Sequence, residues 1–239
     1  MTDAHCHFAA DSTTRHFICL DPTDDFSAAG EPAALLPNLY FFGIHPWQTL
    51  NCLAPDDFIS KRLEPFLVAL EHQFTTSCGP AGIGEIGLDR LKCREVSPLM
   101  REVFTRQLAL AAHFHKPVIL HGAKCWGQVV AACKPYAGQI PRFLFHGFSR
   151  SDGLIPDIIQ LNGYISVGRA ILNDHALNYQ KLVTKIPLNR LLVETDSTRE
   201  TAANLPRIDD IVTRLARLRG MSLEDLNSTL ERNANEWYQ

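Results

Sequence analysis

The chain has 239 residues, 46% hydrophobic and 21% charged, with a formal net charge of −3. This length suits one α/β barrel, and the mild acidity excludes a protein that grips nucleic acid through a global basic field. Strand-sized apolar runs argue against a membrane span, and the start of the chain lacks the basic and apolar stretches of a signal peptide.

Short apolar runs rich in β-branched or aromatic residues recur along the chain. In order they are TDAHCH (2–7), HFICL (16–20), LYFFGIHP (39–46), AGIGEIG (81–87), PVILHG (117–122), RFLFHG (142–147), GYISVG (163–168) and RLLVETD (190–196). Continuous apolar runs, rather than strict alternation, point to strands buried on both faces, as in parallel sheets. Helical patterns separate most of them. PDDFISKRLEPFLVALEHQF (55–74) carries apolar residues at 58, 59, 63, 66, 67 and 70, with Pro65 expected to kink or split it. SPLMREVFTRQLALAAHFH (97–115) begins with Ser97 as N-cap and Pro98 in its first turn. WGQVVAACKPY, DGLIPDIIQLN and DHALNYQKLVTKI fit between later strands, and LPRIDDIVTRLARLRG and SLEDLNSTLERNANEWY follow the last.

Eight strands alternating with helices read as an α/β chain folded as a TIM-type (β/α)8 barrel, one domain over residues 1–239. A doubly wound sheet competes, but its glycine-rich phosphate fingerprint is absent. Only eight residues separate His7 from His16. At helical rise they span about 12 Å, leaving nothing for two reversing turns. The first outer helix is therefore expected to be missing or reduced. The thin wall there is expected to be covered by the segment around Trp237 and Tyr238 or by another subunit.

Seven cysteines, an odd number with no C-x-x-C pair, suit free thiols in a reducing cytosol. A cytoplasmic location follows as an expectation. Cys6 should face away from His5 and His7 and pack.

Active sites of such barrels sit at the C-terminal ends of the strands. Reading only those ends gives His5 and His7, then His45, Glu85, His121, His146, Glu194 and Asp196. Residues i and i+2 of a strand share a face, so His5 and His7 can share one metal ion. His113 and His115 repeat the His-x-His spacing, but they close a helix just before the fifth strand. That is the opposite end of the barrel, where histidines complement a helix C-terminus. Imidazoles and carboxylates crowded into one mouth are expensive to desolvate unless something organises them. Two divalent cations would: His5, His7 and Asp196 on one, His121 and His146 on the second, Glu85 bridging. Imidazole-rich ligation favours Zn, Mn, Co or Fe, with Mg possible. Asp3 shares strand parity with His5 and is expected to support a ligand histidine. Glu194 reads as structural support, and Asp89 as either a turn-closer or an orienting group.

In this order, DAHCH, GIHPW, GEIGLD, KPVILHG, FHGFS, VETDS and the tail RGMSLEDLNSTLERNANEWY resemble the TatD-like metal-dependent hydrolases of the amidohydrolase superfamily. The matching pieces run from residue 3 to residue 238. The resemblance implies a barrel, a divalent-metal centre and hydrolysis, often of DNA phosphodiesters. By position its ligand pattern falls on His5, His7, Glu85, His121, His146 and Asp196. The chain departs from the family where substrate would bind. Lys124 stands in place of an arginine, Gly147 and Arg150 replace the more usual Cys and Gly, and Thr198 replaces Pro.

The expected activity is that of a phosphodiesterase, most simply a deoxyribonuclease. Asp196 serves as metal ligand and general base, and Glu85 as the bridging carboxylate. His45, Lys124 and Arg150 are the expected substrate contacts. The expected partner is DNA or another phosphodiester, with no membrane and a monomer or weak dimer in solution. Two alternatives stand beside this reading. One is an amide, ester or lactone hydrolase on the same metal site. The other is a non-catalytic barrel that binds metal.

Overall fold

The structure, a computed structural model, describes residues 1–9, 11–21, 38–75, 79–149 and 152–239. Eight strands form one sheet in chain order: β1 (Thr2–Cys6), β2 (Arg15–Leu20), β3 (Leu39–Phe42), β4 (Gly82–Asp89), β5 (Val118–Ala123), β6 (Phe143–Phe145), β7 (Gly163–Val167) and β8 (Leu191–Val193). Every ladder is parallel. The helices are α1 (Pro55–Phe58), α2 (Glu64–Phe74), α3 (Pro98–His113), α4 (Trp126–Cys133), α5 (Ile155–Gln160), α6 (Leu177–Lys185), α7 (Ile208–Arg219) and α8 (Leu223–Tyr238). The expected barrel is therefore the observed one. No helix among the described residues is long and apolar enough to cross a membrane. The six cysteines among them are free.

Two apolar layers hold the barrel. The outer one packs Phe42, Val118, Phe143, Phe145, Leu191 and Val193 against the helices. The inner one stacks Ala4, Phe17, Cys19, Phe41, Ile119, Leu144, Tyr164 and Leu192. Strands sandwiched between these layers are buried on both faces, which is why the sequence shows apolar runs without alternation. Local chemistry sets the helix ends. Ser97 Oγ accepts the Met100 N–H at 3.0 Å at the start of α3, and Ser222 Oγ accepts the Asp225 N–H at 3.0 Å at the start of α8. The expected split at Pro65 is present. Pro65 sits in the first turn of α2, and a π turn, Ile59–Leu63, separates α1 from α2 just before it.

Between β1 and β2, no described residue is helical. The C-terminal segment does contribute a cover, but from within. Trp237 is fully buried and packs on Phe17 at 5.2 Å and Phe41 at 5.6 Å between ring centroids. Those rings belong to the inner layer, so Trp237 plugs the interior of the barrel rather than its outer wall. Tyr238 stays 43% exposed.

Among the described residues β8 and β1 share no ladder. Their seam is closed by three other devices. Asp196 N–H donates to the His5 carbonyl at 3.1 Å, and His7 N–H donates to the Ser197 carbonyl at 2.8 Å. The Asp3 carboxylate accepts from the Thr195 N–H at 2.9 Å and the Thr195 hydroxyl at 2.6 Å. The expected support of a ligand histidine by Asp3 reaches the backbone of His5, not its ring. β1 is bulged between Asp3 and Cys6, so the two-residue parity linking Asp3 to His5 is broken. Asp3 holds His5 by its backbone and not by its ring: Oδ1 accepts the His5 N–H at 3.4 Å, while the carboxylate also bonds Thr195 and lies 3.5 Å from His16.

Candidate metal centre

His5, His7, Glu85, His121, His146 and Asp196 converge at the C-terminal mouth of the barrel. Each stands on or just beyond a different part of the strand ring: β1 for the first pair, then β4, β5, β6 and β8. Two of these positions depend on local backbone. β4 slips in register against β5 between Ile83 and Ile86, a stretch that contains Glu85. β4 then approaches β5 closely at Gly87, where a Cβ would lie 2.0 Å from the His121 carbonyl oxygen at a φ of +153°.

Glu85 is the hub. Its Oε1 lies 2.6 Å from His121 Nδ1 and 2.6 Å from His146 Nε2. Its Oε2 lies 3.4 Å from His5 Nε2 and 3.4 Å from His7 Nε2. One carboxylate oxygen thus faces each pair of imidazoles. Asp196 Oδ1 closes the second group, 3.5 Å from His5 Nε2 and 3.8 Å from His7 Nε2.

The outward nitrogen of each histidine is held. His7 Nδ1 meets the Cys19 carbonyl at 3.1 Å, and His5 Nδ1 meets Cys19 Sγ at 3.5 Å. His121 Nε2 meets Asp89 Oδ2 at 2.9 Å, and His146 Nδ1 meets Glu194 Oε1 at 3.4 Å. Ser166 Oγ in turn donates to Glu194 Oε2. Anchoring one ring nitrogen fixes the tautomer and aims the other, the arrangement that metal-ligating histidines require. Asp89 also closes a turn, accepting the Leu91 and Lys92 N–H groups on Oδ1 at 2.6 and 2.9 Å. Both roles considered for it from sequence are therefore present, and Glu194 is the support it was read as.

The donor set fits a divalent cation. His5 Nε2 is fully buried and has no hydrogen-bond partner, which is costly unless a ligand satisfies it. His5, His7 and Asp196 bring their donor atoms within ligation distance of one another, as do His5, Glu85 and His146, and His45, Glu85 and His121. The electrostatics agree. Burial alone would raise Glu85, but His146, His45, His121 and His5 hold it well below the carboxylate range. Burial opposes ionisation of Asp196 too, and His5 and His146 draw it down to about 2. Burial would lower His146, yet Glu85 and Glu194 push it up to about 10. His121 is raised in the same way, against burial, by Glu85 and Asp89. Protons on His121 and His146 supply positive charge facing Glu85.

The expected substrate contacts fare differently. His45 is drawn into the cluster, with Nε2 3.4 Å from His121 Nδ1 and 3.7 Å from Glu85 Oε1. Burial lowers its pKa, against the pull of Glu85. Lys124 is exposed just past β5 in the left-handed region, at a φ of 57°. Arg150 lies outside the described residues. A cleft of about 1040 Å³ opens beside Asp196 and Glu194, lined by Arg169, His175, Lys181 and Lys185 among others. Lys181 and Lys185 belong to α6 and His175 to the turn before it, so a reading of strand ends passes over them. His113 closes α3, and His115 Nδ1 bonds the Gln139 carbonyl at 2.8 Å, so the second His-x-His serves structure.

Comparison with known proteins agrees with this geometry. A crystal structure of YJJV, a TatD homologue from Escherichia coli, superposes with a TM-score of 0.76 over 99% of this chain and 96% of that one, at 22% identity. An uncharacterized metal-dependent hydrolase of Bacillus subtilis, YabD, is 28% identical over 164 residues, 66% of this chain and 64% of its own length. The 3′-5′ ssDNA/RNA exonuclease TatD of Pectobacterium atrosepticum is 25% identical over 212 residues, 82% of this chain and 76% of that protein. The family model for TatD-related DNases matches residues 2–239, and the chain belongs to that family.

Proposed function

We propose that this chain is a metal-dependent phosphodiesterase that hydrolyses single-stranded or end-exposed DNA or RNA. The observation that carries this reading is the division of Glu85, one oxygen toward His121 and His146, the other toward His5 and His7. That division suits two ions bridged by one carboxylate, with His5, His7 and Asp196 on one and His121 and His146 on the other. Imidazole donors favour Zn, Mn, Co or Fe over Mg. The named exonuclease relative favours phosphodiesters over amides or lactones.

Bound divalent ions supply an acidified water and offset charge on the phosphoryl oxygens. The chain supplies the rest. Asp196 is the one carboxylate of the set that solvent reaches, with 42% of its side chain exposed against 3% for Glu85. It is ionised at neutral pH and takes the proton of the attacking water. Arg169 and Lys181 line the cleft beside it and are suited to contact flanking phosphates. The barrel works as one domain, in the cytoplasm, as a monomer or weak dimer.

A substrate panel on protein of defined metal content tests the proposal. Cleavage of oligonucleotides by metal-loaded protein, abolished by chelation, is the expected result. Intact DNA and RNA together with cleavage of an amide or lactone would overturn it.

A further inference from the structure

Trp47 stands apart from the other two tryptophans. Trp126 and Trp237 are 4% and 0% exposed, whereas Trp47 keeps 47% of its surface in solvent. Large aromatics gain most from burial, so an indole left open calls for a reason. It is also fixed. Its Nε1–H donates to Asp89 Oδ2 at 2.7 Å, and the backbone N–H of Trp47 donates to His45 Nδ1 at 3.2 Å. Asp89 is itself fully buried.

The ring is held beside the metal-centre imidazoles. Its centroid lies 4.8 Å from that of His45, edge-on at 82°, and 6.2 Å from that of His121 at 75°. Lys92 Nζ lies 4.9 Å from the ring centroid. A rigid, exposed aromatic next to an ammonium, at the rim of a phosphodiester-hydrolysing centre, matches the needs of a nucleotide. The base offers a flat π-face to the ring, and the neighbouring phosphate offers a charge to the lysine.

We infer that Trp47 is the stacking platform for a nucleobase of the substrate, adjacent to the phosphate under attack, with Lys92 contacting the next phosphate. The inference rests on the nuclease reading above and deepens it. The platform grips a base through its π-face, which every base has. It therefore selects single strands, whose bases can be splayed out, without selecting sequence.

Binding tests this independently of turnover. Chelator-treated protein is titrated with fluorescently labelled oligothymidylate, and with an abasic oligonucleotide of equal length and phosphate count, by anisotropy. Trp47→Ala should weaken oligothymidylate binding by about tenfold to a hundredfold, on the scale of one lost base stack. It should leave the weaker abasic binding unchanged. Trp47→Phe keeps a ring but not the bond to Asp89, and should stay within a few-fold of the parent. Oligothymidylate should quench the intrinsic fluorescence of the parent and not that of Trp47→Phe, because the two remaining indoles are buried.

Equal binding of the two oligonucleotides by the parent would overturn the platform. So would a Trp47→Phe defect as large as that of Trp47→Ala, since the effect would then run through Asp89 and His121. Failure of the nuclease reading is separate, and would show as metal-loaded parent protein that cleaves no nucleic acid.

Discussion

Asp89 Oδ2 accepts the Nε2–H of His121 at 2.9 Å, leaving Nδ1 as the only nitrogen of that ring that can face Glu85. A buried carboxylate, not the ring's own preference, therefore selects the tautomer. Asp89→Ala should lower metal affinity by about 10- to 100-fold, the usual cost of losing such an outer partner. Competition against a chromophoric chelator would measure it, and unchanged affinity would show that His121 is aimed by packing alone.

Asp196→Asn should leave the fold intact and remove activity. The residue sits at a φ of 53°, in the left-handed region that Asn also tolerates, and its backbone N–H still reaches the His5 carbonyl. The amide cannot accept the proton of the attacking water. The expected fall in kcat is about 10²- to 10⁴-fold, read with metal held saturating and with a circular-dichroism melt to show the fold unchanged.

Metal uptake should expel protons. In the metal-free chain burial disfavours a charged His146, but Glu85 and Glu194 push its pKa up to about 10, so the ring is protonated at neutral pH. Ligation needs it neutral. Metal affinity should therefore rise with pH, with proton release visible as buffer-dependent binding enthalpy in calorimetry. The same shift sets a sign for stability. A histidine raised in the folded state contributes stability that is complete below about 6.5 and is lost as pH rises through about 10. Metal-free protein should melt lower at the alkaline end of that window, and metal-loaded protein should not.

Trp237→Ala should destabilise without touching the metal centre. The indole is fully buried against Phe17 and Phe41 in the inner layer. Removing it costs about 3–5 kcal/mol through lost burial and the cavity left behind. Urea titration would show the lower midpoint, while metal stoichiometry at low denaturant should match the parent.

Much of this was legible because a parallel barrel writes itself plainly. Strands covered on both faces appear as apolar runs, and polar residues at their C-terminal ends stand out against them. His5, Glu85, His121, His146 and Asp196 were visible on that ground. Features that depend on backbone detail were not. The parity argument for Asp3 failed because a bulge, which no residue type announces, lies between it and Cys6. Trp47 and Asp89 are 42 positions apart, so their bond had no local signature. His45 was read as a substrate contact, but its place beside Glu85 and His121 depends on how tightly the β3 and β5 ends converge. The inward turn of Trp237 depends on where α8 crosses the base of the barrel, and amphipathic periodicity does not encode that.

The seam between β8 and β1 has a consequence for the making of the protein. It joins Asp3 to Thr195, 192 positions later, and brings Asp196 against His5 and His7. A chain emerging from the ribosome carries both imidazoles first, and the carboxylate that faces them arrives only after the other seven strands. The six-residue cluster is therefore complete only once the chain has been made as far as Asp196, with α7, α8 and the Trp237 plug still to follow.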